Sequence, residues 1–157
     1  TNWAELREAQ TQVFRTLRNT GLIVTMDCGE YNNMHPTEKR TVAHRLALQT
    51  LYRVYKAVPV GEAEAAYCKN GYASGGAYIL QFSQPVAPKE GTTPVFEIAG
   101  ADGIYYPATA EFRESYVRLT SPKVRIPVSM RYAWRNWCDV SLYGKNGIPV
   151  ASFRMPK

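Results

Sequence analysis

The chain is expected to be α/β in its first third and all-β in the rest. Three observations lead there. Within residues 1–56, two stretches of helical periodicity flank the β-branched run Leu22-Ile23-Val24. Pro59 and Gly61 then mark a linker. Across residues 57–157, short apolar runs alternate with turn residues, the pattern of an antiparallel β-sandwich.

Asn2-Trp3-Ala4-Glu5 opens like a capping box, with Asn2 as cap and Glu5 three residues on. Trp3, Leu6, Val13, Phe14 and Leu17 form one apolar stripe, which predicts an amphipathic helix of about four turns. Asn19-Thr20-Gly21 ends it, with Gly21 as the terminator. Leu22-Ile23-Val24 is too short for a helix and suits a buried parallel strand. A single parallel strand cannot satisfy its own backbone groups. Residues 1–56 therefore read as the tail of an α/β domain whose earlier strands lie elsewhere. Gly29, Asn32 and Asn33 then break regular structure. Pro36 presets φ and Thr37 is the expected N-cap of a helix in which Val42, Leu46, Leu48, Leu51, Tyr52 and Val54 recur as far as Tyr55. His35 thus falls between the end of a strand and the start of a helix, where open α/β sheets place active sites.

The expected strands after the linker are 63–68, 77–82, 95–98, 104–109, 116–120 and 127–133. Asn70-Gly71, Ser74-Gly75-Gly76 and Asp102-Gly103 supply turn residues. Val117 and Leu119 should face one way and Tyr116 and Arg118 the other. Val128, Met130 and Tyr132 should likewise oppose Ser129, Arg131 and Ala133.

Composition narrows the function. Hydrophobic residues make up 45% and charged residues 20%, normal for a soluble globular protein. No apolar run is long enough to span a bilayer and no signal-peptide pattern is visible. The net charge of +6 is spread evenly. Residues 1–56 hold 8 Lys/Arg against 5 Asp/Glu, residues 57–157 hold 11 against 8, so each part is +3. Nucleic-acid binding needs a concentrated basic footprint, which argues against it. Cys28, Cys68 and Cys138 lack metal-ligand spacing, so neither a zinc site nor any other metal or cofactor is expected. One disulfide with a free thiol and three buried thiols both fit.

Asp27, Gly29, Glu30, Asn32, Asn33, Met34, His35 and Pro36, followed by Lys39, Val42, Arg45, Leu46, Ala47 and Leu48, resemble the last catalytic block of sialate O-acetylesterases, of the SGNH-type esterase superfamily. Phe96–Ala110, Thr120–Val124 and Arg131–Arg154 resemble the C-terminal β-domain of the same enzymes. The resemblance covers nearly the whole chain, but only the last part of a complete family member. It implies that residues 1–56 are the C-terminal helix–strand–helix piece of a flavodoxin-like α/β hydrolase domain and that 57–157 form the β-sandwich. It also implies removal of O-acetyl groups from sialic acids, and a secreted or periplasmic setting.

In such an enzyme His35 would be the catalytic base. The nucleophilic serine, in a G-Q-S-type motif, would lie on an N-terminal segment of the same precursor, the expected partner. None of the seven serines here sits in that motif or in a G-x-S-x-G elbow. Many SGNH esterases place an Asp three residues before the His; here that position is Asn32. Asn32 and Glu30 are the candidates for orienting the imidazole, with a backbone carbonyl as the alternative. Trp134 and Arg135 could contact the sugar acid, since aromatic faces stack on sugars and guanidinium grips carboxylates, or could pack between domains. His44, on the second helix, reads as structural. The alternative function is a non-catalytic carbohydrate-binding or interaction module built on the sandwich. Taken without the resemblance, His35 reads sooner as a loop imidazole that caps the following helix or bonds a carbonyl.

Overall fold

The computed structural model describes residues 2–156. Helix α1 (Trp3–Thr16) starts where the Asn2 side chain accepts from the backbone N–H of Ala4 (3.1 Å) and Glu5 (3.4 Å), satisfying two otherwise orphaned donors. It stops sooner than expected. Leu17 is extended, and Asn19, not Gly21, takes the left-handed φ of 58°, a conformation asparagine tolerates among L-residues.

Leu22–Val24 is not a strand. Among the described residues nothing pairs with it, and a ladder needs a neighbour. The Val24 carbonyl instead accepts from the Arg45 guanidinium at 2.7 Å. The second helix, α2 (Arg40–Thr50), runs on into a π-helical turn, Leu51–Tyr55, closed by Lys56 at φ 56°. Thr37 does not cap it. Lys39 holds the N-cap position, and Glu38 receives the Thr41 N–H at 2.8 Å. The longer Glu side chain reaches the same orphan donor from one residue earlier.

A short helix, α3 (Val60–Ala63), occupies the expected linker and the start of the expected strand 63–68. The α2 face fixes it there. Gln49 donates to the Ala63 carbonyl at 2.7 Å, and Arg53 pairs with Glu64.

Among the described residues ten strands follow, β1 (Cys68–Ser74), β2 (Ala77–Phe82), β3 (Val86–Pro88), β4 (Phe96–Ala99), β5 (Tyr105–Pro107), β6 (Thr109–Phe112), β7 (Val117–Thr120), β8 (Ser129–Tyr132), β9 (Leu142–Gly144) and β10 (Phe153–Met155). They form one sheet of order β1-β2-β7-β6, a second of order β10-β8-β4-β5, and a two-stranded ribbon β3-β9, all antiparallel. Asn70-Gly71 lies inside β1 rather than in a turn, because the tight turn comes at Gly75 (φ 54°) and Gly76 (φ 73°). Two consecutive positive φ values match a right-twisted two-residue hairpin.

The two large sheets share one core. Tyr78, Leu80, Val117 and Leu119 from the first meet Phe96, Ile98, Met130 and Tyr132 from the second. The expected alternation holds for β7. At β8 it fails at both ends, since Val128 precedes the strand and is exposed while Ala133, at φ 47°, turns inward. The ring pairs Phe96–Tyr132 (4.9 Å) and Tyr132–Phe153 (5.7 Å) bind β10 into this core.

The helical part is joined to the sheets. Arg7 donates to Ser152 at 2.8 Å, Glu8 pairs with Arg154 at 2.8 Å, and Met26 packs on the shared core. The other side of both helices is bare. Trp3, Leu6, Val13 and Leu17 of the α1 stripe are 45–59% exposed, and Leu46 of α2 and Val54 of the π-helical turn are 53% and 68% exposed. Leu46 and Val54 share a groove of about 740 Å³ with Ile23, Tyr52 and Arg53.

Candidate active site

Two carboxylates hold the loop between Met26 and Lys39. At its root Arg45 forks onto Asp27, with Nη1 to Oδ1 at 2.6 Å and Nη2 to Oδ2 at 2.7 Å. With the bond from Nη1 to the Val24 carbonyl, Arg45 ties the entering segment to α2 while only 5% exposed itself. The planar fork of a guanidinium suits such a bidentate clamp. Partial burial pushes the Asp27 carboxyl up, but the bonds and charge of Arg45 outweigh it and leave the group below the usual carboxylate range. The neighbouring Cys28 thiol is pushed up by burial. All three cysteines are free thiols.

Glu30 spans the loop. Its Oε1 accepts from the Thr37 backbone N–H (2.7 Å) and hydroxyl (2.9 Å), and its Oε2 accepts from Asn33 Nδ2 (2.9 Å). These bonds, that from the Thr37 N–H foremost, hold its carboxyl below the usual range. Asn33 Oδ1 in turn accepts the backbone N–H of His35 at 2.9 Å, an Asx-type turn. Glu30, Asn33 and His35 are therefore one connected unit, in which Glu30 shapes the backbone that presents His35. The imidazole is exposed. Among the described residues no hydrogen bond reaches its ring, from serine or any other group. Asn32 is exposed and its side chain is likewise unbonded among the described residues. In the assembled enzyme that the resemblance implies, Asn32→Ala should therefore cost far less in kcat/KM for an acetyl ester than His35→Ala. Equal losses in folded proteins would place Asn32 in the essential set.

The 134–137 segment divides between two places. The Arg154 guanidinium lies 4.8 Å over the Trp134 ring. The Arg135 carbonyl accepts from Arg7 at 2.7 Å, and Asn136 accepts the Trp3 N–H at 3.0 Å. The Arg135 backbone thus lies against the start of α1, and Trp134 lies under Arg154, the partner of Glu8. Trp137 is the member that reaches the His35 loop. Its ring stands edge-on to Tyr31 at 5.6 Å, and a Cβ added at Gly29 would approach its Cζ3 to 3.3 Å. The two tryptophans are three residues apart in sequence, but nothing in that spacing says which one meets the loop. Tyr31, inside the motif, carried no signal of its own.

Ser74 sits at the β1–β2 hairpin and Ser152 is buried against Arg7. His44 is exposed on α2. Among the described residues no group of three or more His, Cys, Asp or Glu side chains is placed to hold a metal ion, and no helix is long and apolar enough to cross a membrane. What the loop can supply is one accessible imidazole on a pinned backbone, the equipment of a general acid–base.

No family model and no curated protein matches this chain. Among solved structures, a carbohydrate acetylesterase from Xanthomonas citri superposes with a TM-score of 0.90 at 35% sequence identity. The match takes in 99% of this chain but 36% of that protein, so the chain spans little more than a third of the length of its structural neighbour.

Proposed function

We propose that the chain is the histidine-bearing part of a carbohydrate esterase that removes O-acetyl groups. The observation that carries this is the neighbour's fold and 35% identity across 99% of the chain, the His35 loop included. At finer grain, the Asp27–Leu48 string favours O-acetylated sialic acid as the substrate, by its resemblance to sialate O-acetylesterases. The nucleophile is a serine on another segment of the same protein. Two features support such a partner segment: the bare apolar stripes of α1 and α2, and the unpaired run Leu22–Val24 beside them.

In this reading the serine hydroxyl adds to the acetyl carbonyl while His35 takes its proton. The tetrahedral intermediate then expels the sugar oxygen, which receives that proton from His35. Water attacks the acetyl-serine with His35 as base; the intermediate expels the serine oxygen, which takes that proton back from His35, and acetic acid is released. The Glu30–Asn33–His35 unit holds the backbone that presents the imidazole through both half-reactions. A backbone fixed in advance saves entropy at each of them.

Residues 1–157 expressed alone should hydrolyse neither p-nitrophenyl acetate nor an acetylated sugar, and adding the serine-bearing segment should restore activity. Turnover by the isolated chain that disappears in His35→Ala would overturn the need for that segment.

A further inference from the structure

We infer that Tyr31 and Trp137 form a stacking platform for the sugar ring of the acetylated substrate. This inference rests on the esterase reading for the identity of the ligand and on geometry for its place. Tyr31 is 74% exposed and Trp137 41% exposed, unusual for large rings that touch each other edge to face. Exposed aromatic surface is costly to leave in water, and its use is recognition. The pair is anchored at one edge. Gly29, two residues beyond the Asp27–Arg45 clamp, lets the indole come close, since a Cβ there would stand 3.3 Å from Trp137 Cζ3. Tyr31 follows Glu30 directly, in the same loop that presents His35. Between them the rings offer perpendicular apolar surfaces, one wall and one floor, suited to the C–H face of a pyranose. A polar ring with one apolar face gains from such stacking without needing a charged partner. Of the polar members of the loop, Glu30, Asn33, Thr37 and Glu38 are occupied with one another or with backbone, while the side chains of Asn32 and His35 are exposed and unbonded among the described residues. Tyr31 and Trp137 are the aromatic part of the exposed surface at this loop, alongside Asn32, Met34 and His35.

The test is a titration of the chain with a mono-O-acetylated methyl pyranoside, followed through the Trp137 indole N–H resonance, which is assigned by its loss in Trp137→Phe. A saturable shift at Trp137, absent at Trp3 and Trp134, is the expected result, with apparent affinity about tenfold weaker in Tyr31→Ala, the scale of one well-packed aromatic contact. Tyr31→Phe should bind as the wild type, because the ring does the stacking. No shift at Trp137, or equal shifts at all three tryptophans, would overturn the platform while leaving the esterase reading to the His35 assay. A saturable shift at Trp137 in a protein that hydrolyses no ester once assembled with its serine segment would have the opposite meaning: the platform stands and the esterase reading falls.

Discussion

His35→Ala should lower acetyl-ester hydrolysis by the assembled enzyme by roughly two to four orders of magnitude, the usual contribution of a positioned general acid–base group. The change should act on kcat, since the imidazole moves protons and does not hold the sugar. It should barely affect folding. The side chain is exposed and bonded to nothing among the described residues, and such surface substitutions stay within about 0.5 kcal/mol. The backbone bond from His35 N–H to Asn33 survives the substitution. Thermal unfolding of the variant beside the wild type, with kcat measured on both, separates the two effects. A folded His35→Ala protein with near-normal turnover would remove His35 from the mechanism and leave the binding-module reading in its place.

The two halves of the chain were not equally legible in the sequence. Helical periods are long-range signals within one segment, so α1 and the α2 span could be read directly, and so could the Asn2 cap. The cross-strand partners of β3, β9 and β10 could not. Each is three residues long, too short for alternation to rise above chance. Leu22-Ile23-Val24 has strand composition without a strand neighbour. Composition reports what a segment tolerates, whereas hydrogen-bonded pairing belongs to two segments. The same distinction governs the site. His35 was singled out by the Asp27–Leu48 string around it, and such a string is local in sequence. Its supports are not local. Glu30 reaches seven residues to Thr37, Arg45 eighteen to Asp27, and Trp137 meets Tyr31 from the far end of the chain. Trp134 and Arg135 had the right chemistry for a sugar, and the contacts that fix this segment, from Arg154 to the Trp134 ring and from Arg7 to the Arg135 carbonyl, again come from distant parts of the chain.

Arg45 should prove the most costly single residue to replace in the loop's framework. It is 5% exposed and satisfies three acceptor atoms: both oxygens of Asp27 and the carbonyl of Val24. Arg45→Met keeps much of the apolar stem but strands a partly buried carboxylate and a buried carbonyl. Breaking one side of a buried pair costs about 3–5 kcal/mol, and in a chain of this length each kcal/mol lowers Tm by about 2–4 °C. Asp27→Asn should cost less, because a neutral amide oxygen still accepts from the guanidinium. The double variant should lose less than the two single losses added together, the signature of direct coupling. The pH dependence has a fixed sign. Because Asp27 is held below its unfolded value, its contribution is fully present above the ordinary carboxylate pKa of about 4 and is lost as pH falls through the lower folded value. Wild-type stability should therefore drop more steeply than that of Asp27→Asn in that acid range, and the two curves should converge at the bottom of it. The loop should respond as well. With its root released, amide exchange over residues 27–37 should quicken in Arg45→Met, and kcat/KM should fall even though Arg45 touches no substrate. Unchanged stability in Arg45→Met, or parallel acid limbs for wild type and Asp27→Asn, would show that the clamp is not what holds the His35 loop.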